Sequence, residues 1–264
     1  MSKIMALARN LLAEPDTREV DPDSDHALEV HARVLKNKAF LKKLYTFYYE
    51  ELLTAARLGP RNKPIIEIGA GSGFLKDLFP GIISLDIRKW PGLDLTASAL
   101  ELPFKDSCVS SIVMLDAMHH LPRPATFFKE ASRVLSPGGI IAAVEPYNSP
   151  FSRIFYKHVH QEPFDEKICS WALEENGPMS ASNQALPWIM LVRDRDLFKK
   201  RFPELNIVQV MPHTMLLYIL SGGLSYRQLA PEKSFDLFSR LEASAPMFIA
   251  RFVATMATYV IEKS

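Results

Sequence analysis

A glutamate and a run of glycines stand together in the first third of the chain. Glu67 is followed by Gly69, Ala70, Gly71 and Gly73, with no large side chain inside the loop. Backbone without side chains lets N–H groups approach a ligand closely. A carboxylate two residues before the first glycine repels a pyrophosphate and attracts an ammonium or sulfonium group. The loop therefore predicts a site for a cationic, adenosine-like ligand.

This loop departs from two phosphate-binding patterns. A dinucleotide-binding loop requires a glycine where Phe74 stands, and a P-loop requires Gly-Lys-Ser or Gly-Lys-Thr, which the loop lacks. Asp86 ends the next apolar run, a position from which a carboxylate can accept hydrogen bonds from both hydroxyls of a ribose. The loop, Glu67 and Asp86 together favour a positively charged nucleoside.

Short apolar strands alternate with helical segments around these residues. The predicted strands are residues 65–68, 82–86, 109–115 and 140–145, and the predicted helices between them are residues 74–79 and 125–135. This alternation predicts an α/β fold with a doubly wound, mostly parallel sheet, whose ligands bind at the carboxyl ends of the strands. Two later strands are predicted at residues 205–211 and 254–262.

The chain is predicted to be a single domain, residues 1–264, with additions to its core. Apolar residues three or four apart predict a helix over residues 26–58. Residues 1–60 are therefore an N-terminal helical segment, which includes a surface helix at residues 4–13, and residues 61–150 are the cofactor-binding core. Residues 151–204 and 212–249 are predicted insertions that form a substrate lid, because the alternation of strands and helices is interrupted there.

Composition and charge exclude several classes of protein. The chain has 264 residues, with 31 lysines and arginines against 30 aspartates and glutamates, so a formal charge of +1 gives no general attraction to nucleic acid. The apolar run at residues 215–220 is far shorter than the ~20 residues that span a bilayer. The two cysteines, Cys108 and Cys169, lack metal or redox spacing and predict a cytoplasmic protein. The oligomeric state stays open.

Five motifs within residues 65–150 follow the order known from one family. They are residues 67–73, Asp86, residues 102–104 (Leu-Pro-Phe), residues 116–121 and residues 134–139. With these motifs the chain resembles the class I S-adenosylmethionine-dependent methyltransferases, in particular the broad small-molecule group with a Leu-Pro-Phe turn. The resemblance implies a seven-stranded, Rossmann-like methyltransferase fold and S-adenosylmethionine as the cofactor.

The resemblance also implies roles for individual residues in binding this cofactor. The methionine part is lined by the glycine loop, namely Glu67, Gly69, Ala70, Gly71 and Gly73. The remaining contacts are Asp86 with the ribose, Ile87 with the adenine face, Ala99 and Leu100 with the adenine edge, and Asp116 and Ala117 beneath the methionine moiety.

The function implied is methyl transfer to a small or mid-sized organic acceptor. In-line displacement at a sulfonium mainly requires alignment of the reacting atoms and exclusion of water. If the acceptor is a hydroxyl, a base is useful, and the candidates at the predicted strand ends are His119, His120 and Glu145. Two alternatives stay open: an S-adenosylmethionine-binding protein without turnover and a nicotinamide-dependent oxidoreductase. A nucleic-acid methyltransferase is disfavoured because the Asn/Asp-Pro-Pro-Tyr/Phe motif is missing.

No metal site is predicted. His158 and His160 would share a face of an extended segment and Glu162 follows them, but no cysteine or further histidine at metal spacing completes the set. The adjacent histidines His119 and His120 project in different directions, which favours a structural role for them.

Overall fold

The computed structural model describes residues 11–174 and 177–264, and these residues form a seven-stranded sheet with a core on each face. The strands are β1 (Ile65–Ile68), β2 (Ile83–Asp86), β3 (Leu95–Thr96), β4 (Val109–Leu115), β5 (Leu135–Pro146), β6 (Leu205–His213) and β7 (Met256–Lys263). Their order is β3-β2-β1-β4-β5-β7-β6. Strands β1 to β5 run parallel, and β7 is antiparallel to both β5 and β6. The predicted doubly wound, mostly parallel α/β fold is confirmed.

Helices flank the sheet throughout the described part of the chain. They are α1 (Asp25–Asn37), α2 (Ala39–Ala56), α3 (Phe74–Leu78), α4 (Pro124–Val134), α5 (Pro150–His158), α6 (Leu186–Trp188), α7 (Arg195–Arg201), α8 (Leu216–Ser221), α9 (Phe235–Ala243) and α10 (Met247–Val253). Short helical turns at Met118–His120, Ile189–Arg193 and Glu232–Ser234 supplement them.

The helix predicted over residues 26–58 is in fact two helices, α1 and α2, which meet at Lys38. The backbone of Lys38 is extended, with φ −94° and ψ 90°. Its buried Nζ donates to the carbonyl oxygen of Gly223 at 3.0 Å and pairs with Glu14 at 2.9 Å. A buried ammonium requires such partners, so long-range contacts set the break that the local periodicity does not reveal.

The middle of the sheet is buried on both faces. All seven residues of β4 are buried. Ile112 and Met114 belong to one core, whereas Val113 and Leu115 belong to the other. Alternate side chains of a strand point to opposite faces, and each fully buried aliphatic side chain contributes about 1.5–3 kcal/mol. The cores therefore hold the strand ends firmly in place at the edge where sheets of this kind bind ligands.

Most predicted elements correspond to observed ones. The strands predicted at residues 205–211 and 254–262 are β6 and β7, while the short strand β3 was not predicted. The surface helix predicted at residues 4–13 lies almost wholly outside the described residues. No described helix combines the length and the apolar character that a membrane crossing requires.

Candidate functional site

The glycine loop leads from β1 into α3 through left-handed backbone. Gly69, Gly71 and Gly73 have φ angles of 75°, 54° and 77°. A Cβ atom on Gly69 would lie 2.5 Å from the Cβ of Ala117, whereas one on Gly71 would meet no described atom within 4 Å. Gly69 therefore allows the ends of β1 and β4 to approach each other, and Gly71 leaves space beside the loop for a ligand.

The carboxylate of Asp86 holds the loop from the end of β2. Its Oδ2 accepts a hydrogen bond from the Gly71 N–H at 2.8 Å, and its Oδ1 accepts one from the Arg88 N–H at 2.9 Å. A carboxylate oxygen has two lone pairs, so both oxygens can accept a further hydrogen bond from a ligand hydroxyl.

A cavity of about 1030 Å³ lies at the carboxyl ends of β1, β2 and β4. This volume is at the upper limit of small-molecule sites, which span roughly 300–1,000 Å³. The predicted cofactor residues that line it are Gly69, Ala70, Gly71, Asp86, Ile87, Ala99, Leu100, Asp116 and Ala117. Gly73 lies outside its described wall and instead forms the N-cap of α3. The fold thus brings most of these residues to one cavity.

Glu67 does not occupy the position that the sequence predicts. It is fully buried beneath the loop, outside the described cavity wall. Its Oε1 accepts a hydrogen bond at 2.8 Å from the hydroxyl of Tyr49, which lines the cavity. Its Oε2 has no partner among the described residues. Burial raises the pKa of Glu67 to about 8 although the Tyr49 hydrogen bond opposes this shift. Glu67 is therefore linked to the cavity wall through Tyr49.

Asp116 lines the cavity at the end of β4. Its φ is 54°, a left-handed conformation that is unusual for a residue with a side chain. Although 36% of its side-chain surface is accessible, the enclosing wall raises the pKa of Asp116 to about 7. A cationic ligand beside it would favour the ionised form.

His119 lies between two carboxylates. Its Nδ1 is 2.7 Å from Glu145 Oε2, and its Nε2 is 3.1 Å from Glu162 Oε2. Burial alone would lower the pKa of His119, but the hydrogen bonds and charges of the two glutamates raise it well above its usual value. His119 and Glu145 lie outside the described cavity wall. Their catalytic role stays a prediction: neither side chain lines the described cavity, but each is hydrogen-bonded to a residue that does, Glu145 to Ala117 and His119 to Glu162.

Glu145 holds the floor of the cavity in place. Its Oε1 accepts hydrogen bonds from the N–H groups of Ala117 at 2.8 Å and Met118 at 2.6 Å. With its Oε2 bonded to His119 as well, this buried carboxylate has a partner for each oxygen, which offsets the cost of burying it.

His120 is the predicted base that does line the cavity. Burial, with the nearby positive charge of His119, lowers the pKa of His120 to about 3. Its imidazole is consequently neutral at neutral pH, and its Nε2 lies 3.7 Å from Glu162 Oε2.

Sequence reasoning missed cavity residues that are distant along the chain. Tyr49, Arg88, Glu162 and Tyr218 all line the cavity. Local patterns do not mark them, because their importance arises from contacts between elements. Sequence spacing associates Glu162 only with the nearby His158 and His160, whereas the fold pairs it with His119 across 43 residues.

The core of the site matches a known family. Residues 66–143 match the family model described as a methyltransferase domain. These residues form a methyltransferase domain. The chain is 31% identical over 104 residues to a "Probable S-adenosylmethionine-dependent methyltransferase" of Mycolicibacterium smegmatis, in a match that covers 34% of this chain and 40% of that protein. It is 31% identical over 125 residues to an uncharacterized chloroplastic methyltransferase of Arabidopsis thaliana, covering 37% and 35% of the two chains.

One solved structure that the chain matches is the geranyl diphosphate C-methyltransferase of Streptomyces coelicolor A3(2). It is 12% identical, with a TM-score of 0.49, and the match covers 96% of this chain and 88% of that one. The matches to the two curated relatives span only 40% and 35% of their lengths. The methyltransferase domain contains the glycine loop, Asp86 and Asp116 but ends before Glu145 and Glu162. The predicted resemblance to methyltransferases is thus confirmed for residues 66–143.

Proposed function

We propose that the protein transfers a methyl group from S-adenosylmethionine to a small or mid-sized organic acceptor. The observation that carries this proposal is the pairing of Gly71 with Asp86 inside the methyltransferase domain. Space beside Gly71 faces the cavity, and the carboxylate hydrogen-bonded to its N–H lines the same cavity. Open backbone next to a strand-ending carboxylate suits a nucleoside with its ribose hydroxyls on Asp86.

The cofactor contacts follow from the cavity wall. The methionine part lies along Gly69, Ala70 and Gly71, with Asp116 and Ala117 beneath it, and the adenine lies between Ile87 and the Ala99–Leu100 backbone. Glu67 acts from behind the wall, since its unpartnered Oε2 and its bond to Tyr49 leave a buried carboxyl group that a nearby cation stabilises in its charged form.

Methyl transfer requires few dedicated catalytic groups. When bound, the cofactor supplies a methyl group on a positively charged sulfur, which an acceptor nucleophile displaces in line. The protein aligns the two partners and excludes water from the cavity. A neutral His120 on the cavity wall can accept a hydrogen bond from an acceptor hydroxyl and so orient it.

The acceptor is enclosed by the substrate lid, residues 151–204 and 212–249. These segments bring Phe155, Met179, Tyr218 and Leu229 to the cavity, and Glu162 adds a carboxylate. An apolar and aromatic wall with few polar groups suits a partly apolar organic acceptor. The two free cysteines, Cys108 and Cys169, support a cytoplasmic location.

Two substitutions in the cofactor site test the assignment. Asp86→Ala removes the acceptor for the Gly71 N–H and for the ribose, and Gly71→Arg fills the open space beside the loop. We expect each to weaken S-adenosylmethionine binding at least about tenfold, equivalent to about 1.4 kcal/mol, in isothermal titration calorimetry of the full chain.

Matched controls separate cofactor binding from general damage. Gly81 is exposed and has open space around it, and the Asp106 side chain is 79% exposed. Gly81→Arg and Asp106→Ala should change affinity by less than about twofold. Unchanged affinity in both site variants would rule out the proposed cofactor site.

Turnover needs a separate measurement. Incubation with candidate acceptors should yield S-adenosylhomocysteine in amounts equal to the methylated product. Cofactor binding with no product from any acceptor of this class would point to a binding protein instead. A thermal shift with nicotinamide dinucleotides but none with S-adenosylmethionine would point to an oxidoreductase.

A further inference from the structure

Three side chains at one end of the cavity converge on a single point. They are His119, His120 and Glu162, whose nearest ligand-type atoms all lie within 4.8 Å of one another. Glu162 Oε2 is 3.1 Å from His119 Nε2 and 3.7 Å from His120 Nε2. His120 and Glu162 line the cavity, so the point of convergence is open to it.

These separations match those of atoms that share a metal ion. Nitrogen and oxygen ligands bind Zn²⁺ at about 2.0–2.2 Å, which places neighbouring ligands roughly 3.0–3.5 Å apart in tetrahedral or octahedral geometry. The distances from Glu162 Oε2 to His119 Nε2 and His120 Nε2 lie within or just above this range.

The surroundings of the cluster resemble the outer shell of a metal site. A histidine ligand usually donates its other ring N–H to a carboxylate, which fixes the ring and its tautomer. Glu145 Oε2 fills this position at 2.7 Å from His119 Nδ1. The carboxylate of Glu162 is itself oriented by Gln184 Nε2, which donates to Oε2 at 3.2 Å.

We propose that His119 Nε2, His120 Nε2 and Glu162 Oε2 hold a first-row divalent transition-metal ion, with Zn²⁺ as the representative. Two imidazoles and one carboxylate suit such ions, whereas Mg²⁺ and Ca²⁺ prefer oxygen ligands. The ion takes the place of the proton between His119 and Glu162. A second set of groups, Asp116, His119 and Glu145, is less suitable because both oxygens of Glu145 already accept hydrogen bonds.

Sequence spacing predicts no metal site, because Glu162 is close to His158 and His160 along the chain but distant from His119 and His120. With three protein ligands, the ion keeps open positions, as in catalytic zinc sites. These positions face the cavity and suit a hydroxyl, carbonyl or carboxylate oxygen of the acceptor. This assignment of the acceptor group rests on the proposed methyl-transfer function, whereas the metal site itself does not.

Metal titration of the full chain tests the inference at fixed pH. The chelator-treated protein should bind one Zn²⁺ per chain in competition with a chromophoric chelator, and Co²⁺ should give visible absorption bands. Mg²⁺ at the same concentrations should not compete. Glu162→Gln and His120→Ala should each weaken Zn²⁺ binding by about 100-fold or more, and the outer-shell variant Glu145→Gln by about 10–100-fold.

The control variant is His158→Ala, which removes an exposed histidine from α5 and should leave Zn²⁺ affinity within about twofold. Thermal melts establish whether each variant is folded. If Glu162→Gln does not fold, the Zn²⁺ affinity of His120→Ala tests the site. Absence of Zn²⁺ binding in the wild type, or binding that neither variant weakens, overturns the inference. Calorimetry with S-adenosylmethionine on the same samples keeps the two proposals separate, because cofactor binding without metal binding rejects the metal site alone.

Discussion

Glu67 places a carboxyl group in the apolar interior beneath the glycine loop. Burial raises the pKa of Glu67 to about 8, whereas an unfolded chain leaves a glutamate near its ordinary value of about 4.3. At a pH between these two pKa values, the Glu67 carboxyl group is protonated in the folded protein and ionised in the unfolded chain. Raising the pH through this window therefore favours the unfolded state.

The isosteric variant Glu67→Gln tests whether stability falls in this way as the pH rises. Glutamine keeps an oxygen to accept the Tyr49 hydrogen bond but cannot ionise. From about pH 5 to pH 8 we expect the free energy of unfolding of the wild type to fall relative to that of the variant, by up to about 1.4 kcal/mol per pH unit. Urea denaturation of both proteins at several pH values measures this difference in the free energy of unfolding. Glu101→Gln at an exposed position serves as the control, and parallel pH curves for wild type and Glu67→Gln would contradict the prediction.

The element that brings Tyr218 to the cavity is the short helix α8, and a side chain from another helix caps it. Glu242 of α9 accepts hydrogen bonds at its Oε1 from the backbone N–H groups of Met215 at 2.6 Å and Leu217 at 3.4 Å, and from that of Leu216 between them. First-turn N–H groups have no partner within their own helix, so Glu242 joins α8 and α9 into one unit of the proposed lid.

Removal of this cap should loosen α8. Glu242→Ala should destabilise the protein by about 1–2 kcal/mol, in line with the loss of an N-cap, and should increase amide hydrogen exchange over residues 215–221. Glu242→Gln retains an acceptor oxygen and should show a smaller change in exchange. Equal protection of these amides in wild type and Glu242→Ala would show that Glu242 does not support the helix.

For the molecule as a whole, the last strand completes the sheet. Strand β7 lies between β5 and β6 and pairs with both in antiparallel register, from Met256 to Glu262 on the β5 side. Its buried side chains contribute to both cores, with Tyr259 and Ile261 on one face and Val260 on the other. Without β7, strand β6 loses the strand that it pairs with among the described residues.

Deletion of residues 256–264 should therefore abolish cooperative folding. The truncated chain should lose its near-ultraviolet circular dichroism and its sigmoidal denaturation curve, because both cores and the β6 pairing are disrupted together. Glu262→Gln, an exposed change within the same strand, should leave the unfolding free energy within about 0.5 kcal/mol. A truncated chain that still unfolds cooperatively would show that β7 is dispensable.

Local sequence patterns were sufficient to predict much of the fold and the position of the ligand edge. Short β-branched apolar runs predicted every strand except β3, and apolar residues three or four apart predicted the helical region at residues 26–58. The glycine loop with Asp86 predicted the ligand edge. These features depend on neighbours in sequence. The break at Lys38 and the short strand β3 escaped prediction, since contacts with other parts of the chain create them.

The tertiary structure alone decided which polar groups meet. The sequence indicated that His119, His120 and Glu145 lie near a strand edge, but it could not show that only His120 of these three reaches the described cavity wall. It could not place Glu162 against His119, or Tyr49 between Glu67 and the cavity. The physical reason is that the packing of distant segments sets the orientation of a side chain, and its burial sets its charge state. Local spacing in the sequence specifies neither property.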